Sequence, residues 1–210
     1  MTRQYKPHNR CQKCQMLTQY CLCSDAEECK KNLEYVQSSL HIIMHHRERF
    51  LTTNTARLAK LCLPRCEIHL RGMIEKKVPF DEILKNASHP LLLYPSEKAT
   101  ELSSDYLNKI SGPITLIVPD GSWRQASKVA KREKLLEKIP HVKVLKGSES
   151  QYKLRREPKF SGLATFEAIA IALGIIEGYD VQQKLEAVFL KMVEQTLRSR
   201  GMKQSIKGEV

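Results

Sequence analysis

The sequence has no long apolar run and few aromatic residues. Within its 210 residues, no stretch approaches the run of about 18 apolar residues that a membrane-spanning helix needs. The first ten residues are polar and basic, and no apolar segment follows them, so we expect no secretory signal. Hydrophobic residues still make up 41% of the chain, which is enough for a folded core and argues against wholesale disorder.

Acidic residues are few relative to basic ones. The chain has 23 Asp and Glu against 35 Lys and Arg, a formal net charge of +12. Eleven Lys or Arg and only four Glu lie between Lys128 and Lys159, which is +7 within 32 residues and includes Arg155 and Arg156. A solvated helix face would explain Lys131–Lys138 alone. The whole stretch favours phosphate contacts with nucleic acid over binding to an anionic membrane surface.

Seven cysteines, an odd number, in a chain without an expected signal indicate the reducing cytosol, so we predict a cytoplasmic protein. The spacing Cys11-x2-Cys14-x6-Cys21-x-Cys23 places four thiols within thirteen residues, which favours a closed, structural zinc site over scattered buried or redox-active cysteines. Cys29 is a second-choice ligand. Cys62 and Cys66 are expected in the core or on the surface of the main domain.

One further motif resembles a zinc deaminase. His46-x-Glu48 has the H-x-E pattern of such an enzyme, whose remaining ligands come from a downstream P-C-x-x-C. Downstream there is only Cys62-x3-Cys66, which has the wrong spacing. The deaminase interpretation is therefore rejected.

Alternating strand-like and helix-like segments from Leu40 onwards predict an α/β fold with a mainly parallel sheet. We predict three regions: a small Cys-rich zinc module at 1–31, the main domain at 36–200 and a polar tail at 201–210. The predicted strands are Leu40–Met44, Leu91–Tyr94, Ile114–Val118 and His141–Leu145. The predicted helices are Asn54–Leu63, one that begins at Ser96, Trp123–Leu136, Thr165–Ile176 and the amphipathic Asp180–Leu197. The apolar stripe between Val181 and Val193 suits either the core or self-association.

Ligands of parallel sheets bind at the carboxyl ends of the strands, so the turns there are of interest. In Asp120-Gly121-Ser122-Trp123, a capping box of Ser122 with Gln125 accounts for the hydroxyl, and a tight turn accounts for Gly121. Neither the capping box nor the tight turn accounts for the Asp120 carboxylate, which can accept a proton. They also do not account for the chain's only Trp, which can stack on a base or pack under the site.

Two other turns have the same double interpretation. In Leu163–Ala168, Thr165 is a fair N-cap and Glu167 suits the positive end of a helix, but a helix N-terminus also binds polar ligand groups. Tyr94-Pro95-Ser96 is the third turn. None of the three turns predicts more than a cap by itself.

Together, these segments resemble the DTW-domain family. The resemblance covers most of the chain and rests on five ordered blocks: the cysteines from Cys11 to Cys23; His45-x-Arg47-Glu48 with Asn54-Thr55-Ala56-Arg57-Leu58; Leu93-Tyr94-Pro95-Ser96; Asp120-Gly121-Ser122-Trp123; and Leu154-Arg155-Arg156-Glu157-Pro158 with Thr165-Phe166-Glu167-Ala168. Ser122 stands where the family signature usually has Thr, so the hydroxyl is kept and a methyl group is lost.

The resemblance implies an enzyme that uses S-adenosylmethionine to place a 3-amino-3-carboxypropyl group on N3 of a tRNA uridine. It also implies a SPOUT-like fold with a C-terminal trefoil knot. Asp120 would be the base that removes the N3 proton, or would only orient the uracil. The cofactor-binding residues would be Tyr94, Pro95, Ser96, Val118, Pro119, Leu163, Ala164 and Thr165. The RNA-binding residues would be His45, Arg47, Ser122, Trp123, Arg124, Lys128, Arg155 and Arg156, with the zinc module as a second contact.

Two other functions remain open from the sequence. One is a SPOUT-type RNA methyltransferase that uses the same cofactor, and the other is a non-catalytic, zinc-containing RNA-binding protein.

Overall fold

A computed structural model describes residues 9–51, 54–73, 77–145 and 162–201. Its strands are β1 (Ser39–His45), β2 (Cys66–Arg71), β3 (His89–Leu93), β4 (Thr100–Glu101), β5 (Ile114–Asp120) and β6 (His141–Lys143). Its helices are α1 (Cys23–Asn32), α2 (Ala56–Cys62), α3 (Phe80–Lys85), α4 (Ser104–Leu107), α5 (Trp123–Arg132), α6 (Lys134–Glu137), α7 (Thr165–Glu177) and α8 (Tyr179–Ser199). Short 3₁₀ turns lie at Thr18–Tyr20 and His46–Phe50.

The six strands form one sheet in the order β2-β1-β5-β3-β6-β4. All five pairings between these strands are parallel, which confirms the predicted α/β fold and parallel sheet. β5 lies between β1 and β3, and all seven of its residues are buried. This agrees with its sequence, because a central parallel strand is covered on both faces and therefore has a continuous apolar run.

Successive residues of the strands pack on opposite faces of the sheet. On β5, Leu116 and Val118 belong to the larger core, whereas Ile117 belongs to a smaller one. The larger core includes residues of α1, α2, α7 and α8. The smaller core includes residues of α3, α5 and α6. Asp120, two residues after Val118, therefore points to the face covered by α2 and α7.

The Cys-rich segment contributes to the larger core through residues beside its cysteines. Met16, Leu22 and Ala26 are all buried there. Thr196 on α8 donates a hydrogen bond to Met16 Sδ at 3.7 Å. The apolar residues of this segment thus pack on the helices of the main sheet.

The apolar stripe of α8 lies in the core. Val181, Leu185, Val188, Met192 and Val193 are each at most 7% exposed and pack in the larger core, which resolves the alternative left open by the sequence. Among the described residues, no helix combines the length and the apolar character that crossing a membrane requires.

Three predicted elements differ from the structure. The helix predicted to begin at Ser96 is wrong, because Thr100–Glu101 pairs with β6 as strand β4. The helix predicted over Trp123–Leu136 is interrupted at Glu133, whose backbone is extended and whose carboxylate accepts two hydrogen bonds from Arg71 on β2 at 2.6 and 3.0 Å. The last predicted strand ends at Lys143 instead of Leu145. The tertiary contacts of Glu133 therefore prevail over local helix propensity.

Candidate active site and zinc site

Asp120 is a buried carboxylate at the carboxyl end of the central strand. It is the last residue of β5 and only 4% exposed. Its Oδ2 accepts a hydrogen bond from Asn54 Nδ2 at 2.7 Å, and its Oδ1 accepts one from the Thr165 hydroxyl at 2.7 Å. The Gly121 backbone N–H also bonds this carboxylate, so three of about four acceptor positions are used and one is left for a ligand.

The local structure explains why these two donors face Asp120. Asn54 lies just before α2, and its own Oδ1 accepts the backbone N–H of Arg57 at 3.3 Å, which turns Nδ2 towards the carboxylate. Thr165 is the first residue of α7, and Ala164 is the N-cap. The Thr165 N-cap prediction is therefore wrong. The carboxylate of Glu167 instead accepts the Ala164 N–H at 2.7 Å, and the Thr165 hydroxyl donates to Asp120.

Burial dominates the electrostatics of Asp120. Burial raises the pKa of its carboxyl group, and the hydrogen bonds from Thr165 and Asn54 offset only part of this increase. Glu48, on the 3₁₀ turn after β1, also has a raised pKa because it is half-buried and because the charge of Asp120 is nearby. Two carboxyl groups therefore disfavour ionisation of each other at this edge of the sheet, as is common where a group must take up a proton near neutral pH.

The turn after Asp120 requires a glycine and ends in the predicted capping box. Gly121 has φ +143°, and a Cβ there would lie 2.7 Å from Gln125 Oε1. The Ser122 N–H donates to that oxygen at 2.6 Å, and the Ser122 hydroxyl accepts the Gln125 N–H at 3.4 Å. The capping box is thus confirmed, and it accounts for Ser122 without any ligand.

Trp123 lies across the start of the segment that leads into α7. A Cβ on Gly162 would be 2.7 Å from Cζ2 of the indole, so the ring packs against the Gly162 backbone. The Trp123 side chain is nonetheless 45% exposed. It can therefore support the turn while presenting aromatic surface to a ligand.

The turn after β3 is held by a buried histidine. The Ser96 hydroxyl lies 2.8 Å from His141 Nδ1, and His141 Nε2 lies 3.1 Å from the Leu136 carbonyl oxygen. Burial lowers the pKa of His141, so its ring is neutral at pH 7. Nε2–H then donates to Leu136 and Nδ1 accepts from Ser96. Because β3 pairs with β5, the Tyr94-Pro95-Ser96 turn lies on the same edge of the sheet as Asp120.

Basic side chains gather where β1 meets α5. Burial lowers the pKa of His45, and the nearby charges of His46, Arg47, Arg71 and Lys128 lower it further. Arg47 is exposed, as is Arg124 on the first turn of α5. Arg155 and Arg156 lie outside the described residues.

The four N-terminal cysteines form a single cluster. The sulfurs of Cys11 and Cys23 lie 3.5 Å apart, those of Cys14 and Cys21 lie 3.8 Å apart, and all four fall within 4.8 Å of one another. Tetrahedral zinc with bonds of about 2.3 Å places sulfurs about 3.8 Å apart, so the cluster fits this ion. Burial opposes ionisation of Cys11, but hydrogen bonds from the backbone of Cys14 and Lys13 lower its pKa to about 6.

The other three cysteines are buried in the larger core. The thiol of Cys29 lies 3.7 Å from the carbonyl oxygen of Lys184 on α8 and outside the four-cysteine cluster. Burial raises the pKa of Cys66 to about 12. Cys62 and Cys66 therefore lie in the core of the main domain, which was one of the two predicted locations.

Two residues that influence Asp120, one by a hydrogen bond and one by its charge, were not among the predicted site residues. Asn54 and Arg57 occur in one of the five sequence blocks, yet nothing in the sequence gave either a role. Arg57 bonds the carbonyl oxygen of Arg49 through its guanidinium and lowers the pKa of Asp120 through its charge. The available signal was the position of Asn54 just before α2 and of Arg57 in its first turn.

The fold and site define an α/β protein with a clamped, buried carboxylate at the carboxyl edge of a parallel sheet and a separate four-cysteine cluster. The chain belongs to the DTW domain family, whose family model matches residues 8–197. No solved structure matches it.

Three curated proteins named tRNA-uridine aminocarboxypropyltransferase 2 are similar to this chain. The one from Macaca fascicularis is 29% identical over 175 residues, which is 82% of this chain and 58% of that protein. The one from Mus musculus is 32% identical over 146 residues, covering 68% and 49% respectively. The one from Drosophila melanogaster is 27% identical over 173 residues, covering 80% and 67%. The chain thus spans about half to two thirds of the length of these relatives.

Proposed function

We propose that this protein is a tRNA-uridine aminocarboxypropyltransferase that transfers a 3-amino-3-carboxypropyl group from S-adenosylmethionine to uridine N3 and releases 5'-methylthioadenosine. The observation that carries the proposal is the buried Asp120 carboxylate, which two side-chain donors orient at the carboxyl end of β5. Membership of the DTW family and the names of the relatives support the same reaction.

Three turns would hold the donor at the edge of the sheet next to Asp120. They are Tyr94-Pro95-Ser96 after β3, Val118 and Pro119 at the end of β5, and Leu163, Ala164 and Thr165 at the start of α7. Two contacts support a shared site: β3 pairs directly with β5, and Thr165 bonds the last residue of β5. The N-terminus of α7 and the buried, apolar side chains of Val118 and Ala164 suit a ligand with a polar and an apolar part.

Proton removal from uridine N3 is the task assigned to Asp120. Bound S-adenosylmethionine supplies an electrophilic methionine Cγ whose bond to sulfur breaks as the bond to N3 forms. Asp120 accepts the N3 proton as this bond forms and later releases it to solvent. An Asp with an ordinary pKa of about 4 is a weak base, so the raised pKa of this buried carboxyl suits the role.

Asn54 and Thr165 position the base. Each donates to one carboxylate oxygen, which fixes the plane of the carboxylate and leaves its remaining acceptor position for N3–H. If Asp120 only orients the uracil, the same two contacts serve that purpose.

The RNA would lie across the basic residues near the carboxyl ends of β1 and β5. His45, Arg47, Arg124 and Lys128 would contact phosphates, and the exposed indole surface of Trp123 would stack on a base beside the target. Ser122 would contribute through its cap. Arg155 and Arg156 extend the same stretch in the sequence, outside the described residues.

The four-cysteine cluster would hold one structural zinc ion. The sulfur spacing supports this assignment, and a site with four thiolates leaves no position for a substrate. A zinc site needs reduced thiols, which favours the cytoplasm. We keep the division into a Cys-rich module at 1–31, a main domain at 36–200 and a tail at 201–210 as part of the proposal; residues 1–8 and 202–210 lie outside the described ranges.

We also propose that the fold is a SPOUT-like sheet with a C-terminal trefoil knot. The parallel sheet and the grouping of the turns at its carboxyl edge support this class. Residues 146–161 lie outside the described ranges, so an experimental structure that traces them is the test of the knot.

Product analysis tests the proposed reaction. Unmodified tRNA is incubated with the protein and S-adenosylmethionine, and its nucleosides are analysed by mass spectrometry alongside assay of methylthioadenosine. We expect uridine to gain one aminocarboxypropyl group and methylthioadenosine to appear in equal amount, with Asp120→Asn as the inactive control. A gain of one methyl group would identify a methyltransferase instead. Binding of tRNA without consumption of the donor would identify a non-catalytic RNA-binding protein.

A further inference from the structure

Two histidines and a glutamate meet at the outer edge of the sheet, away from Asp120. His41 lies on β1, and Glu67 and His69 lie on the edge strand β2. The register pairs His41 with Glu67 and Ile43 with His69, so all three side chains project from the face that carries Ile43 and the smaller core. Asp120 points to the opposite face. The proposed reaction therefore has no use for this cluster.

The three side chains bring their ligand atoms close together. Nδ1 of His41 lies 3.0 Å from Nε2 of His69, and Nε2 of His69 lies 3.6 Å from Oε2 of Glu67. One ligand atom from each residue falls within 4.8 Å of the others. Two zinc–nitrogen bonds of about 2.0–2.1 Å at a tetrahedral angle place the nitrogens about 3.3 Å apart. Small side-chain rotations would therefore bring both imidazoles into coordination.

We propose that His41, Glu67 and His69 form a second metal site that binds a divalent transition metal ion, with zinc as the best match to two imidazoles and one carboxylate. This donor set differs from the four thiolates of the cysteine cluster, and it leaves at least one coordination position for water. The site is accessible, since the side chain of Glu67 is 65% exposed while that of His69 is only 14% exposed. The ion would join the edge strand to its neighbour.

A hydrogen bond between the two imidazoles is the competing explanation of the 3.0 Å contact. The rings are stacked with centroids 5.2 Å apart, so one N–H could donate to the other ring without any ion. In that explanation Glu67 only forms an ion pair with His69 and binds no metal. A carboxylate ligand, in contrast, makes metal affinity depend on Glu67, so the glutamate distinguishes the two explanations.

Isothermal titration calorimetry with zinc chloride tests the site on untagged protein. The protein is first loaded with zinc, and weakly bound metal is then removed on a chelating resin, which leaves the four-cysteine cluster filled. We expect one further equivalent to bind. Because loss of an outer-shell partner alone typically costs about 10–100-fold in metal affinity, His41→Gln and His69→Gln should each cost at least that much.

Two further variants keep the test decisive. Glu67→Gln changes an exposed side chain and leaves the fold intact, and we expect it to weaken binding by about tenfold or more. His89→Gln makes the same change at a histidine of β3, which contacts the Ser111 carbonyl oxygen, and this variant should bind zinc as the wild type does. The proposal is overturned if the wild type binds no further equivalent of zinc. It is also overturned if His41→Gln and His69→Gln, or Glu67→Gln, keep the full zinc affinity of the wild type.

Discussion

Replacing Asp120 by asparagine tests the chemistry and the electrostatics of the site together. The substitution keeps the shape of the side chain and removes its charge. In the variant, Asn54 can donate to the oxygen of the new side-chain amide, and the Thr165 hydroxyl can rotate to accept from its NH2 group. Both contacts of 2.7 Å are therefore retained as hydrogen bonds. We therefore expect Asp120→Asn to fold and to leave the surrounding contacts in place.

The expected loss of activity follows from the role of the carboxylate. A positioned general base typically contributes about 10²–10⁴-fold to the rate, which corresponds to about 2.7–5.4 kcal/mol of transition-state stabilisation. The affinity for tRNA should change little, since phosphate contacts dominate it and Asp120 is buried. Single-turnover release of methylthioadenosine measures the first quantity, and filter binding of tRNA measures the second.

The same variant should gain stability relative to the wild type as pH rises. Burial raises the folded-state pKa of Asp120 above its unfolded value of about 3.9, so its contribution to stability is complete below that value and is lost as pH rises through the folded-state pKa. Asparagine has no such loss. The difference in the free energy of unfolding should therefore grow as pH rises from about 3.9 through the folded-state pKa, by about 1.4 kcal/mol for each unit of pKa shift.

Urea unfolding at several pH values provides the measurement, with Asp105→Asn as the control because Asp105 is an exposed carboxylate on α4. Full transfer activity in Asp120→Asn would remove Asp120 as the base. A stability difference that stays constant as pH rises from about 3.9 to 8 would contradict the argument from burial. Equal losses of activity and tRNA affinity would point to a structural role.

Three further substitutions address the positioning donor, the zinc cluster and the RNA surface. Thr165→Val removes one charge-assisted bond, worth about 1.5–3 kcal/mol, so transfer should slow about 10- to 150-fold. Because that bond lowers the pKa of Asp120, the acidic limb of the pH–rate profile should also move to higher pH. A limb that does not move would refute the contact. Cys14→Ser should lower both the zinc content and the melting temperature, whereas unchanged zinc content would exclude Cys14 as a ligand. Lys128→Ala should weaken tRNA binding and reduce the slope of log affinity against log salt concentration by about 1. The control variant Lys109→Ala, at an exposed lysine, should leave both unchanged. Equal slopes for Lys128→Ala and the wild type would place the RNA elsewhere.

The main architecture followed from the sequence because apolar runs and helical periodicity are local signals. Ile114–Val118 and Thr165–Ile176 each have a continuous apolar pattern, and each lies where the structure has β5 and α7. Strand β2 was missed because it has no continuous apolar run like those of the other strands, although its alternating polar and apolar residues are typical of an edge strand. The break at Glu133 could not be predicted because it depends on Arg71, 62 residues away.

In the candidate site, too, the features with a local sequence signal could be predicted and the long-range contacts could not. The position of Asp120 at the end of a buried strand could be predicted from the apolar run before it, and the four-cysteine cluster from its spacing. The two donors to Asp120 could not, because Asn54 and Thr165 are separated from it by 66 and 45 residues and meet it only through tertiary folding. For Thr165, a local capping preference even suggested a different role for the hydroxyl.

Trp123 gives the protein an intrinsic optical probe at its candidate site. Because it is the chain's only Trp, all of the indole fluorescence comes from one known position next to Asp120. Its ring is partly in contact with solvent and partly against Gly162, so its emission should respond both to a base stacking on it and to movement of the chain that enters α7. Stopped-flow fluorescence on the unlabelled protein can therefore follow substrate docking in real time.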